Sequence, residues 1–268
     1  MAQDHAAEAS KVARLYNFLA RFGEEAEGGD YLHVGLFDGP NDTLPEAKHR
    51  LTETAAARLG LGPSDHILDL GCGVGLPAIQ VNRRYRCEVT GVTIATDQAA
   101  SARALIAEEN CKSHVRVLVG DAHQLPFAAE TFEGAMALES LLHMDRSRAL
   151  GELGRIIRAG GSLVLTDWFE VKLLELDERK ALRRSFCMNA VTLDHYRTLL
   201  ERAGFRSIEV LDVTAAIDPT YDHWAEFRAA PEPRTPQQFV SRYNAIASAV
   251  LPILRAKLGY AIISAVKA

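Results

Sequence analysis

Leu68-Asp-Leu-Gly-Cys-Gly-Val-Gly75 joins an apolar run, His66-Ile-Leu-Asp-Leu70, to a helical pattern over Leu76 to Arg84. The run reads as a buried strand, and glycines at 71, 73 and 75 let the chain turn sharply after it. A ligand can lie against such a turn with no Cβ in the way, facing the N-terminus of the helix that follows. The dinucleotide fingerprint G-x-G-x-x-G places its third glycine three residues after the second. Here the order is G-x-G-x-G, with the acid Asp69 two residues upstream. A carboxylate at that point suits an ammonium better than a pyrophosphate.

Downstream, short apolar strands alternate with helical patterns. Strands are expected at Glu88 to Val92, Val115 to Val119, Gly134 to Leu138 and Ser162 to Thr166. Helices are expected at Thr96 to Glu109 and Asp145 to Arg158, the latter stopped by Gly160-Gly161. This alternation predicts an α/β fold with a Rossmann-like, doubly wound sheet covered on both faces. Two later strands, at 205–213 and 260–266, complete seven, mostly parallel with the last antiparallel.

Outside that core the texture differs. Val12, Leu15, Leu19 and Phe22 keep a helical period, Gly28-Gly29 breaks it, and Tyr31 to Pro40 reads as a loop or short strand. Thr43-Leu-Pro-Glu46 has capping-box spacing ahead of Leu51, Ala55 and Leu59. Residues 170–191 look helical with basic residues at Arg179-Lys180 and Arg183-Arg184, whose simplest reading is a solvated face. Leu193 to Ala203 is a helix, Asp218 to Pro236 is turn-rich, and Phe239 to Leu258 is a long amphipathic helix. The expectation is one domain, 1–268, with its core at about 60–170 plus the two late strands. Residues 1–59, 170–200 and 214–258 then form a discontinuous cap over the carboxyl edge of the sheet, where the specificity for a substrate resides.

Composition narrows the partners. Of 268 residues 48% are apolar and 24% charged, which excludes disorder and low complexity. Thirty basic residues against 35 acidic give a net charge of −5, so a nucleic-acid surface is not expected. Four cysteines without a C-x-x-C pair read as reduced thiols. No apolar run approaches the roughly 20 residues of a membrane span, and Met1-Ala-Gln-Asp-His lacks signal-peptide order. The protein is expected to be cytoplasmic, to act on a small molecule and to contain no metal, with a homo-oligomer left open.

The D-x-G-x-G-x-G run resembles motif I of class I S-adenosylmethionine methyltransferases. The likeness extends over about 60–170 through Gly91-Val-Thr-Ile-Ala-Thr-Asp-Gln98, Gly120-Asp-Ala122 with Leu125-Pro-Phe127, Ala137-Leu-Glu-Ser-Leu-Leu-His143 and Arg158-Ala-Gly-Gly161. It implies S-adenosylmethionine as cofactor, held by Asp69, Gly71, Cys72, Gly73 and Gly75, and by Leu138 and Glu139 after strand four. Many class I enzymes carry a ribose-binding acid at the end of strand two, where this chain has Thr93. In this respect it is similar to a subgroup including cyclopropane-fatty-acid, sterol, tocopherol and natural-product enzymes. That resemblance assigns Thr93, Ile94 and Gln98 to the nucleoside, against the alternative that Gln98 caps a helix. Asp121 and Ala122 match the adenine pair, against a turn-capping role for Asp121.

His143 falls just past strand four and Asp167 at the end of strand five, the edge where open α/β sheets bind ligands. An imidazole can take the proton of an attacking hydroxyl at neutral pH, and a carboxylate can orient it or act as base itself. Similar natural-product sugar O-methyltransferases have a His and an Asp at the matching positions. The alternative is that His143 begins a helix and Asp167 caps a turn. By the same resemblance Tyr31 and His33 line the substrate pocket, and Trp168 and Phe186 either wall it or belong to the core. The function expected is methyl transfer to a hydroxyl or amine of a small, largely apolar metabolite. Its rivals are C-methylation of an isoprenoid or its diphosphate, and a cyclase or binding protein that keeps the fold without methylating.

Overall fold

The computed structural model describes residues 10–17, 33–229 and 237–268. Leu19, Phe22, Gly28-Gly29, Tyr31 and the prolines at 231, 233 and 236 lie outside the described residues. Seven strands form one sheet: β1 (His66–Leu70), β2 (Glu88–Thr93), β3 (Val115–Val119), β4 (Phe132–Leu138), β5 (Ile157–Glu170), β6 (Phe205–Asp212) and β7 (Leu258–Lys267). Their order is β3-β2-β1-β4-β5-β7-β6. Strands β3 to β5 are parallel, and β7 runs antiparallel to both β5 and β6. The order reverses between β1 and β4, so connections leave these neighbours to opposite sides and open a crevice at their carboxyl ends.

The pleat explains why the central strands read as unbroken apolar runs. In β7, Tyr260 and Ile262 enter the hydrophobic cluster on one face of the sheet, and Ala261, Ile263 and Ala265 the cluster on the other. The first face is covered by α2 (Leu44–Ala56), α3 (Leu76–Tyr85) and α4 (Thr96–Glu108), the second by α5 (Arg146–Ile156) and α7 (Leu193–Arg202). In α5, Ala149, Leu150, Leu153 and Ile156 share a buried face, and each large aliphatic is worth about 1.5–3 kcal/mol. Asp145 caps that helix by accepting from Arg148 N, and Thr43 closes the expected capping box with Glu46 on α2.

Two local expectations are corrected. The fifth helix ends at Ile156 rather than at Gly160-Gly161: Ile157 already has extended dihedrals and opens β5, which contains both glycines. The turn-rich segment after Asp218 is partly helical, with α9 at Pro219–Ala229, because a proline is tolerated in a first turn.

The remaining helices crowd the carboxyl edge of the sheet. Residues 10–17 form α1, followed later by α6 (Leu176–Phe186), α8 (Thr214–Ile217) and α10 (Gln237–Lys257). Leu15 packs with Tyr243 and Ala247 of α10, and Asn17 Oδ1 accepts from Asp97 N at the start of α4, 3.2 Å away. Helix α1 is therefore fastened at both sides of the crevice. Among the described residues no helix is long and apolar enough to cross a membrane.

Candidate active site

A cavity of about 660 Å³ opens at the carboxyl ends of β1, β2 and β4. Asp69, Gly71, Cys72, Gly73, Thr93, Ile94, Gln98, Asp121, Ala122, Leu138, Glu139, His33 and His143 all line it. The turn after β1 explains the glycines. Gly71 sits at φ +81, and a Cβ there would lie 2.3 Å from Ser140 Cβ, whose hydroxyl donates to Leu70 O at 2.6 Å. Gly75, at φ +86, is the N-cap of α3.

Two buried polar atoms on this wall have no partner within the protein: Asp69 Oδ2 and Gln98 Nε2. One is an acceptor and the other a donor, a costly arrangement unless a ligand completes it. Asp69 is 2% exposed, and burial pushes its pKa up to about 7. A ligand ammonium beside it would restore the carboxylate. Gln98 is held in place by its other end, since Thr93 Oγ1 donates to Gln98 Oε1 at 2.8 Å and accepts from Ala95 N at 3.2 Å. Gln98 thus does not cap α4; it presents an amide donor to the cavity. Asp121 Oδ1 accepts from His123 N at 2.9 Å and from His123 Nδ1 at 2.6 Å, while His123 Nε2 accepts from Asp145 N at 3.0 Å. An acid for an ammonium, an amide donor for a nucleoside oxygen and a braced acid for an exocyclic amine fit S-adenosylmethionine.

Glu139 stands at the end of β4 with φ +50. Its Oε1 accepts from Val34 N at 2.8 Å and Tyr260 OH at 2.6 Å, and burial raises its pKa to about 8. It ties the chain at Val34 down over the cavity. His33 next to it is buried, its Nδ1 donating to Val34 O at 2.9 Å and its Nε2 accepting from Thr52 at 3.1 Å. Burial pushes its pKa down to about 3, so it stays neutral.

His143 closes the turn after β4. Its Nδ1 lies 3.3 Å from Cys187 O, an atom that can only accept, so the proton is on Nδ1 and Nε2 offers a lone pair. Tyr16 OH of α1 donates to Nε2 at 2.6 Å. Burial, with the charge of Arg146, lowers the imidazole to about 4 against the opposing Cys187 carbonyl. His143 is a neutral acceptor at neutral pH.

Asp167 is not brought to His143. It is 1% exposed, and its carboxylate accepts from Arg146 Nη2 at 2.9 Å, from Tyr196 OH and from Trp168 N at 2.8 Å. Trp168 is a core residue: 1% exposed, it stands edge-on to Tyr260 and its indole donates to Tyr221 OH at 3.1 Å. Phe186 lies edge-on to His143 and lines a smaller apolar hollow of about 50 Å³, which shares Tyr16 and Glu139 with the main cavity. Tyr31 falls outside the described residues. No group of three or more His, Cys, Asp or Glu side chains among the described residues is placed to hold a metal.

Sequence reasoning passed over Tyr16, although it follows cavity-lining Val12 by four residues and so shares its helix face. It also passed over Arg146, whose partners are 21, 43 and 50 residues distant and leave no local pattern.

The model of a family described as "Methyltransferase domain" matches residues 68–165. The (+)-O-methylkolavelool synthase of Herpetosiphon aurantiacus is 38% identical over 221 residues, 80% of this chain and 77% of that protein. The 27-O-demethylrifamycin SV methyltransferase of Amycolatopsis mediterranei is 35% identical over 203 residues, 74% of this chain and 75% of its own. Among solved structures, the [4+2]-cyclase SpnF superposes with a TM-score of 0.86 at 26% identity, over 97% of this chain and 96% of that one.

Proposed function

This chain belongs to the S-adenosylmethionine-dependent methyltransferases, and we propose that within them it methylates a hydroxyl of a small, largely apolar natural product. The observation that carries this reading is the neutral His143 imidazole with Nε2 turned to a hydroxyl inside the cofactor cavity. Bound S-adenosylmethionine supplies an electrophilic methyl group on a sulfonium. Asp69 and Gln98 hold it at its amino-acid and nucleoside ends, and Asp121 and Ala122 take the adenine. His143 Nε2 accepts the proton that the acceptor oxygen loses as it is methylated. Orientation of the two reactants in a closed site supplies most of the acceleration. The names of the two O-methyl relatives support oxygen over nitrogen as the methylated atom.

The test is incubation with methyl-labelled S-adenosylmethionine and an extract of the producing organism, followed by mass spectrometry and fragmentation of whatever gains label. Label on oxygen, formed in step with S-adenosylhomocysteine and lost in His143→Ala, is expected. Label on carbon would replace this reading with C-methylation.

The likeness to a cyclase favours a second reading, in which the pocket rearranges a substrate without transferring methyl. Product of unchanged mass with the cofactor intact would establish it. Stoichiometric S-adenosylhomocysteine eliminates it.

A further inference from the structure

We propose that Asp167 and Arg146 are positioning residues that fix the tautomer and aim of His143 through the segment 187–189. The inference rests on His143 as base, but its geometry is independent of the reaction. Asp167 at the end of β5 and Arg146 at the start of α5 form an ion pair, with Arg146 5% and Asp167 1% exposed. Tyr196 of α7 completes the cluster: its hydroxyl donates to Asp167 and accepts from Arg146 Nε at 2.9 Å. A guanidinium buried without such partners would be strongly destabilising. None of the three lines the cavity.

Arg146 has one further donor, Nη1, and it goes to Asn189 O at 2.6 Å. Asn189 N in turn donates to Leu142 O at 2.9 Å, the residue before His143. Two residues earlier in the same segment, Cys187 O takes the Nδ1 proton of His143. One short stretch of chain therefore grips His143 twice, by its backbone through Leu142 and by its ring through Cys187. Beyond Asn189 the segment is pinned to β5, where Glu170 N donates to Val191 O at 2.9 Å. Arg146 is the only side chain among those described that ties Asn189 O to the buried core. The fork of its guanidinium reaches Asp167, Tyr196 and Asn189 at once, which a lysine ammonium at the end of a flexible stem cannot reproduce.

The consequence is a defined imidazole. With Nδ1–H committed to a carbonyl whose place is set by Arg146, the Nε2 lone pair can point only into the cavity. If the segment shifts, Nδ1–H loses its acceptor and the two tautomers become comparable.

Long-range proton–nitrogen NMR of the histidine rings reads this directly, with the His143 signals assigned by their loss in His143→Gln. The full-length protein is expected to show a single Nδ1–H form at His143. In Arg146→Lys, which keeps a buried cation beside Asp167, and in Tyr196→Phe, which removes one anchor of the guanidinium, the Nε2–H form should appear. In both variants kcat should fall about tenfold, a fraction of what a general base contributes, with KM for S-adenosylmethionine unchanged. A pure Nδ1–H signal in both variants overturns the positioning role. That result would leave His143 as base intact, whereas full activity of His143→Ala would remove the base and leave the tautomer result standing.

Discussion

The hydroxyl of Tyr16 lies 2.6 Å from Nε2 of His143, so a side chain from α1 occupies the direction in which the imidazole can accept a proton. The two residues are 127 apart in sequence and meet because α1 lies across the carboxyl edge of the sheet. An acceptor hydroxyl must either take the place of this phenol or pass its proton along it. His143→Ala is therefore expected to bind S-adenosylhomocysteine normally and to lose about 100-fold or more of kcat, the scale of general-base catalysis. Tyr16→Phe should lose about tenfold, since the phenol orients the imidazole without receiving the charge. Calorimetric binding alongside single-turnover rates separates the two effects, and an unchanged rate in His143→Ala would remove the imidazole from the reaction.

The acid limb of the pH–rate profile should fall well below the ordinary histidine range. Burial lowers His143 to about 4, so its basic form persists where a solvated imidazole would be half protonated at about 6.5. Measured as kcat/KM for the acceptor with S-adenosylmethionine saturating, which keeps the Asp69 carboxylate ionised, activity should hold down to about pH 5 and decline toward 4, with circular dichroism recorded in parallel to confirm the fold. A limb near 6.5 would mean that another group titrates, or that the ring is solvated during turnover.

The fold was legible because its determinants are local. Asp69 and the glycines at 71, 73 and 75 lie within seven residues, and β/α alternation repeats at short range on both sides. The pairing of Thr93 with Gln98 on the cavity wall is equally local, as the two residues are five apart. The chemistry beyond the cofactor was not. Asp167 was expected near His143 because both close strands at the same edge, but its carboxylate turns to Arg146 and Tyr196 instead. Nothing in the spacing of these residues announces that contact, which exists only once α5 and α7 are packed on β5. Trp168 next to it alternates to the opposite face and joins the core with Tyr260.

Thr93→Val should weaken cofactor binding without touching chemistry. The Thr93 hydroxyl is what aligns Gln98, and its loss leaves Oε1 unpaired and Nε2 free to turn from the cavity. One such bond is worth about 1 kcal/mol, so KM for S-adenosylmethionine should rise about five- to tenfold at constant kcat. If kcat falls instead, the pair serves the acceptor rather than the nucleoside.

Gly71→Ala tests the turn itself. At φ +81 an alanine is strained, and its Cβ would meet Ser140 Cβ at 2.3 Å, against a residue anchored to Leu70 O. The substitution should destabilise the protein by about 2 kcal/mol or more and abolish measurable S-adenosylhomocysteine binding. Gly160→Ala, also at positive φ but with open space around it, is the control: strained, yet with binding retained.

Asp69 makes cofactor binding a proton-linked event. Its pKa of about 7 comes from burial alone, so at pH 6 the carboxyl of the free protein is mostly protonated. A ligand ammonium favours the carboxylate, and binding S-adenosylhomocysteine should release nearly one proton at pH 6 and little above pH 8. Below pH 7 the affinity should rise about tenfold per pH unit. The sign for stability follows from the same shift. Asp69 and Glu139 have folded pKa values raised to about 7 and 8, so their contribution is fully present at low pH and is lost as pH rises. His33 and His143, lowered to about 3 and 4, act oppositely and are spent above about 6.5. The opposing slopes largely cancel between pH 4 and 6.5, and from there to pH 8 the carboxyls act alone. Ligand-free protein should therefore lose on the order of 1 kcal/mol per pH unit per carboxyl, from both groups up to about pH 7 and from Glu139 alone from there to about pH 8, and S-adenosylhomocysteine should relieve the part due to Asp69. Titration calorimetry in buffers of different ionisation enthalpy measures the proton directly. An Asp69→Asn variant that still releases it would move the linkage to another group.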